Sequence, residues 1–117
     1  MANPLWHWEL MVSDLEKAKE FYGKVFDWEI DDKNFPNYPL VKTGDTPGGA
    51  FFPKPSQVQK CALHTYFHVE DIEETLTRAT VLGAKVVTPR TPIPGIGYWA
   101  MFADPDGIEI GLLQPVG

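Results

Sequence analysis

Along Leu5–Val12 apolar and polar residues alternate, with Trp6, Trp8, Leu10 and Val12 on one side of an extended strand and His7, Glu9 and Met11 on the other. The period then changes. Leu15, Ala18, Phe21, Tyr22, Val25 and Phe26 recur at helical spacing, so a helix is expected over about Asp14–Val25 with these residues facing a core. Ser13 followed by Asp14 and Glu16 offers a capping box at its start. Short runs at Trp28–Asp32, Tyr38–Thr43 and Gly49–Phe52, separated by Pro36, Pro39, Gly44, Pro47 and Gly48, read as three strands joined by turns. The order is β-α-β-β-β.

The same pattern returns 57 positions later, where His64 stands against His7, Val69 against Val12, Asp71 against Asp14 and Glu73 against Glu16. These coincidences fall on a strand start, a core contact and a helix cap, which have separate physical jobs. Leu63–Val69 repeats the strand, with Thr65, Phe67 and Val69 on one side and His64, Tyr66 and His68 on the other. Asp71 can cap a helix carrying Ile72, Leu76, Ala79 and Leu82, and Gly83 suits a left-handed exit. Lys85–Thr88 is the next strand and Pro89–Gly97 a loop or irregular edge. Tyr98–Ala103 and Ile108–Leu113 form a hairpin across Asp104, Pro105, Asp106 and Gly107. The chain therefore reads as one α+β domain over residues 1–117 made of two diverged copies of one unit: module one 1–53, a linker 54–60 and module two 61–117.

Composition narrows the function classes. A chain of 117 residues that is 44% hydrophobic can build a real core. With a net charge of −6 and no basic run, nucleic acid and anionic membrane surfaces are poor partners. The N-terminus has no basic start followed by an apolar run, and no stretch approaches the ~18 apolar residues of a membrane span, so a soluble, cytoplasmic protein is expected. Cys61 is the only cysteine, which excludes an intrachain disulfide and a cysteine-built metal site; a half-buried thiol at a strand start is expected.

The strand phase places all three histidines, His7, His64 and His68, on the sheet face turned away from the helices, together with Glu9, Met11 and Tyr66. One face of a sheet can simply be the wet one. A concave surface that mixes histidine, carboxylate and aromatic rings is also the usual form of a small-molecule site. Glu109 alternates with Ile108 and Ile110 and is expected to face such a pocket, where a carboxylate needs a partner. Glu9 and Glu109 are thus the acid–base candidates, with a solvated or His-paired carboxylate as the structural alternative.

Three stretches, HWELMVSDLEKAKEFYGKVFDWEI, HTYFHVEDIEETLTRATVLGAKV and ADPDGIEIGLLQP, together resemble the vicinal oxygen chelate superfamily of glyoxalase, bleomycin-resistance and extradiol-dioxygenase proteins. The resemblance extends more closely to its small bacterial branch related to lactoylglutathione lyase, whose members mostly have no assigned reaction. It implies two β-α-β-β-β modules whose sheets curl into an eight-stranded cup. In metal-dependent members the cup holds a divalent ion through one residue from each module's first strand and one from each module's last. Those positions are here His7, His64, a residue within Gly48–Pro53, and Gly111, so two ligands are missing. No cofactor is expected; the alternative is a displaced metal site of His7, Glu9, His64 and Glu109.

Two functions follow from these readings. The first is a metal-independent lyase- or isomerase-like enzyme with His7, Glu9, His64 and Glu109 as its catalytic groups and His68 assisting proton transfer. The second is a non-catalytic protein sequestering an aromatic compound or antibiotic, with Tyr66, His68, Tyr98, Trp99 and Phe102 lining the pocket. Sheet edges in need of cover make a homodimer the expected assembly.

Overall fold

In the computed structural model, which describes residues 2–44 and 47–116, the first module consists of β1 (Leu5–Val12), α1 (Leu15–Phe26), β2 (Glu29–Asp31), β3 (Leu40–Lys42) and β4 (Gly49–Pro53). The second consists of β5 (Ala62–His68), α2 (Ile72–Val81), β6 (Lys85–Ile93), β7 (Gly97–Ala103) and β8 (Glu109–Pro115). The fold is α+β with two β-α-β-β-β modules, as the repeat predicts. Two compact bodies carry them: one holds His7–His64, and the other holds the N-terminal residues up to Trp6 together with the chain from Thr65 onward.

The helix starts repeat residue for residue. Asp14 caps α1 by accepting from the Lys17 amide at 3.1 Å, and Asp71 caps α2 by accepting from the Glu74 amide at 3.2 Å. The cap of α1 is therefore Asp14, one residue beyond the serine of the expected capping box. The helix ends differ: α1 leaves through Asp27 in the left-handed region at φ 57°, and α2 through Gly83 at φ 106°.

Strands in the first module are ordered β2-β3-β4-β1, with β1 and β4 parallel and the other pairs antiparallel. Its helix side is aromatic. Trp28 lies 5.1 Å from Trp8, 5.7 Å from Tyr22 and 4.8 Å from Phe26, and Tyr22 lies 5.7 Å from the fully buried Phe51. Of the helix itself only Ala18 is buried, while Phe21, Val25 and Phe26 are exposed. The helical spacing of Phe21 and Val25 thus continues past the core face onto the outer surface, because the sheet beneath is covered by Tyr22 and the tryptophans instead.

Strands in the second module are ordered β5-β8-β7-β6, with β5 and β8 parallel. Val69, Ile72, Leu76, Ala100 and Leu112 form its core, with Tyr98 and Phe102 packed against it. Gln114 adds a polar tie by accepting from the Ile72 amide at 2.8 Å. The segment expected as a loop or irregular edge at Pro89–Gly97 is edge strand as far as Ile93, and β6 is irregular, with register shifts between Val86 and Thr88 and between Thr88 and Thr91. Prolines are tolerated because β6 is the outermost strand, where a missing N–H leaves no ladder bond unmade. The hairpin turn is as expected: the Asp104 carboxylate accepts from the Asp106 and Ile108 amides at 2.9 Å each, and Gly107 takes φ 87°. Cys61, expected half-buried, is exposed. No helix among the described residues is long and apolar enough to cross a membrane.

Candidate active site

On β1 the alternation sends Trp8 towards the helix and leaves His7 and Glu9 on the opposite face, both half-buried. Between them reaches Tyr38, supplied by the turn before β3. That turn is fixed by three features: the Tyr38 amide donates to the Phe35 carbonyl at 2.9 Å, Pro39 is fully buried, and the Pro39 carbonyl accepts from the Phe51 amide at 3.0 Å. The Tyr38 hydroxyl donates to a Glu9 carboxylate oxygen and lies 2.8 Å from His7 Nε2. A phenol has one proton, so the nitrogen must be the donor in the second bond. The order is His7 Nε2–H to Tyr38 oxygen and Tyr38 O–H to Glu9.

Burial holds His7 below its ordinary imidazole range, an effect partly offset by the negative charge of Glu9. At neutral pH His7 is uncharged and able to accept a proton. A proton reaching this imidazole can pass from Nε2 to the Tyr38 oxygen as the Tyr38 proton passes to Glu9, which leaves His7 neutral and Glu9 protonated. The arrangement is a three-member acid–base chain.

His64 lies against Phe52, with ring centroids 6.5 Å apart. In the second body, His68 meets Trp6 edge-on at 5.0 Å and its amide donates to the Pro4 carbonyl at 2.9 Å. Tyr66 is buried opposite Gly111 and meets Trp99 edge-on at 6.5 Å. Tyr98 and Phe102 alternate with Trp99 and pack on the helix-side core, and Tyr98 also lies under the Arg90 guanidinium at 4.3 Å. The three expected aromatic ligands from β7 therefore do not share a wall. Glu109 is exposed at the start of β8 opposite Ala103, so the enclosure expected around it is not there.

Sequence reasoning missed Tyr38 and Trp6. Tyr38 stands among Asn34, Pro36, Asn37 and Pro39, where no period reveals which face a side chain takes. Strand phase puts Trp6 on the helix side with Trp8, yet it groups with the second body, beside His68.

The sequence profile of the Glyoxalase/Bleomycin resistance protein/Dioxygenase superfamily matches residues 5–112. The chain belongs to this superfamily. Among curated proteins it is similar to CFP32 of Mycobacterium bovis, provisionally named a glyoxylase, at 32% identity over 79 residues. That match covers 68% of this chain and 30% of CFP32, so the chain spans about a third of the length of its curated relative. Among solved structures similar to this chain in fold are the following two. One is the hypothetical protein BH1468 of Bacillus halodurans, with TM-score 0.73 and 13% identity over 100% of this chain and 97% of that one. The other is methylmalonyl-CoA epimerase of Mycobacterium tuberculosis, with TM-score 0.71 and 16% identity over 97% and 88%.

Strand register refines the metal positions that the superfamily resemblance implies. Gly111 pairs with Tyr66 on β5, and Ala50 pairs with Glu9 on β1, the residue equivalent to Tyr66 under the 57-residue repeat. Neither Ala50 nor Gly111 carries a donor atom. The residues at these positions do not fit a divalent ion.

Proposed function

We propose that this superfamily member is a metal-independent lyase- or isomerase-like enzyme that moves a proton on a small molecule bearing an acidic C–H next to a carbonyl. The observation that carries the reading is the hydrogen-bonded order His7, Tyr38, Glu9, in which a desolvated, neutral imidazole is coupled through a phenol to a carboxylate. His7 receives the proton, Tyr38 relays it and Glu9 stores it. The glyoxylase name of CFP32 and the epimerase name of the structural neighbour both belong to proton transfer beside a carbonyl, which supports that substrate class.

The test is solvent exchange. Chelator-treated protein is incubated in D2O with a panel of 2-oxoaldehyde thiohemiacetals and branched acyl-CoA thioesters, and deuterium at the carbon beside the carbonyl is read by mass spectrometry. The expected result is exchange into at least one probe, unchanged by EDTA and lost in Glu9→Gln and His7→Gln. Exchange that appears only on adding Zn²⁺ or Ni²⁺, or none with any probe, sinks the reading.

A second reading, sequestration of a planar compound, draws on the half-exposed Trp6 beside His68 and on the half-buried Trp99 in the second body. It predicts ligand binding that survives Glu9→Gln and is weakened by Trp99→Ala.

A further inference from the structure

The glycine at residue 111 is matched to one neighbour. A Cβ built there would stand 2.3 Å from Cδ2, 2.5 Å from Cε2 and 2.8 Å from Cγ of Tyr66, far inside van der Waals contact. The ring has little room to yield, since Tyr66 is only 6% exposed, Trp99 lies edge-on to it and Met101, also buried, pairs with Gly111 from the other side. The first module shows a similar device on the opposite sheet face, where the Trp8 ring covers Gly49 and a Cβ would lie 2.2 Å from Cδ2. There the pairing serves the aromatic core. Tyr66 and Gly111 lie instead on the face that carries the candidate polar residues.

We infer that Tyr66 and Gly111 form an obligate pair that closes the second module's last-strand ligand position: the phenol ring occupies the path that any side chain at residue 111, a metal-binding carboxylate included, would have to take. Loss of the ligand is then more than one missing acid. Reinstating a carboxylate at residue 111 requires removing the ring from residue 66, so the two positions change together or not at all. Tyr66 is accordingly a packing plug and not a stacking surface for ligand. The inference rests on the metal-independent reading only in what it says about metals, and its packing claim stands apart.

The experiment is a four-protein cycle of wild type, Gly111→Ala, Tyr66→Ala and the double variant, read by thermal melting, with Ni²⁺ titration calorimetry on the wild type. Gly111→Ala is expected to lower Tm by about 10 °C or more, and the same change in the Tyr66→Ala background by only about a third as much. Should Gly111→Ala fail to fold, the double variant is read against Tyr66→Ala: a Tm close to that of Tyr66→Ala supports the pairing, and a double variant far less stable than Tyr66→Ala overturns it. Equal losses in both backgrounds also overturn it. Coupling together with stoichiometric Ni²⁺ on the wild type would leave the pair standing and defeat the metal-independent function.

Discussion

The two modules agree where they are held together and diverge where they face outward from their helices. Asp14 and Asp71 cap equivalent helices through equivalent amides, and both first strands send one set of residues to the helix and another away from it. On the second face the first module carries His7, Glu9 and Tyr38, whereas the second carries Tyr66 over a glycine. Position 9 is a carboxylate in one copy and its counterpart at 66 is a buried ring. The elements that fold the chain are thus common to both copies, while the opposite face carries a hydrogen-bonded side-chain group in one and a packed ring in the other.

The cores differ as well, and this gives the largest expected effect. Ile72 and Leu76 are buried in a compact aliphatic cluster, so Leu76→Ala is expected to cost about 2–5 kcal/mol in denaturant unfolding. Phe21 on the outer surface of α1 is 59% exposed, and Phe21→Ser is expected within about 0.5 kcal/mol of wild type. Comparable losses at both sites would break the contrast between the two helices.

The caps should behave alike. Asp14→Ala and Asp71→Ala are each expected to cost about 0.5–2 kcal/mol, and equal losses in urea melts would sharpen the claim of structural repetition. A large loss at one and none at the other would contradict it.

Removing the phenol oxygen tests the chemistry with little effect on the fold. Tyr38→Phe keeps the ring but breaks both hydrogen bonds, with an expected stability cost of about 0.5–1.5 kcal/mol and a shifted His7 titration in NMR. An unshifted His7 would detach it from the chain.

The smallest effect is a pH slope. His7 is held below its ordinary pKa of 6.5, so between that value and the folded pKa the unfolded chain binds more protons and stability falls as the pH falls. Above pH 6.5 the contribution is fully present. Urea melts of wild type and His7→Gln from pH 7.5 to 5 check this: the wild type should lose stability on acidification relative to the variant, and parallel curves would remove the desolvation argument.

Strand phase was legible because period-two alternation survives in both copies, and it led to His7, Glu9, His64, Tyr66 and His68. The α2 cap is legible because Asp71 directly precedes the apolar helix run, whereas at α1 the neighbouring Ser13 offers a competing cap to Asp14. Tyr38 was hidden because its direction is set by a turn between prolines, and turns carry no periodicity. Tyr98 and Phe102 are not distinguished from Trp99 because an unbroken apolar run does not reveal its own phase; only pairing with β8 resolves it. Phe21 and Val25 matched a helix period but not the face that α1 buries. The two prolines of β6 suppressed a strand that its outermost position permits.

That same β6 has a bearing on how the protein behaves when concentrated. An outermost strand offers a free row of backbone groups onto which another chain could add, and Val86 and Val87 are both exposed there. Pro89 and Pro92 interrupt that row, two register shifts bend it, and Lys85 and Arg90 bring charge. Together they make β6 a poor template for strand addition by a second chain.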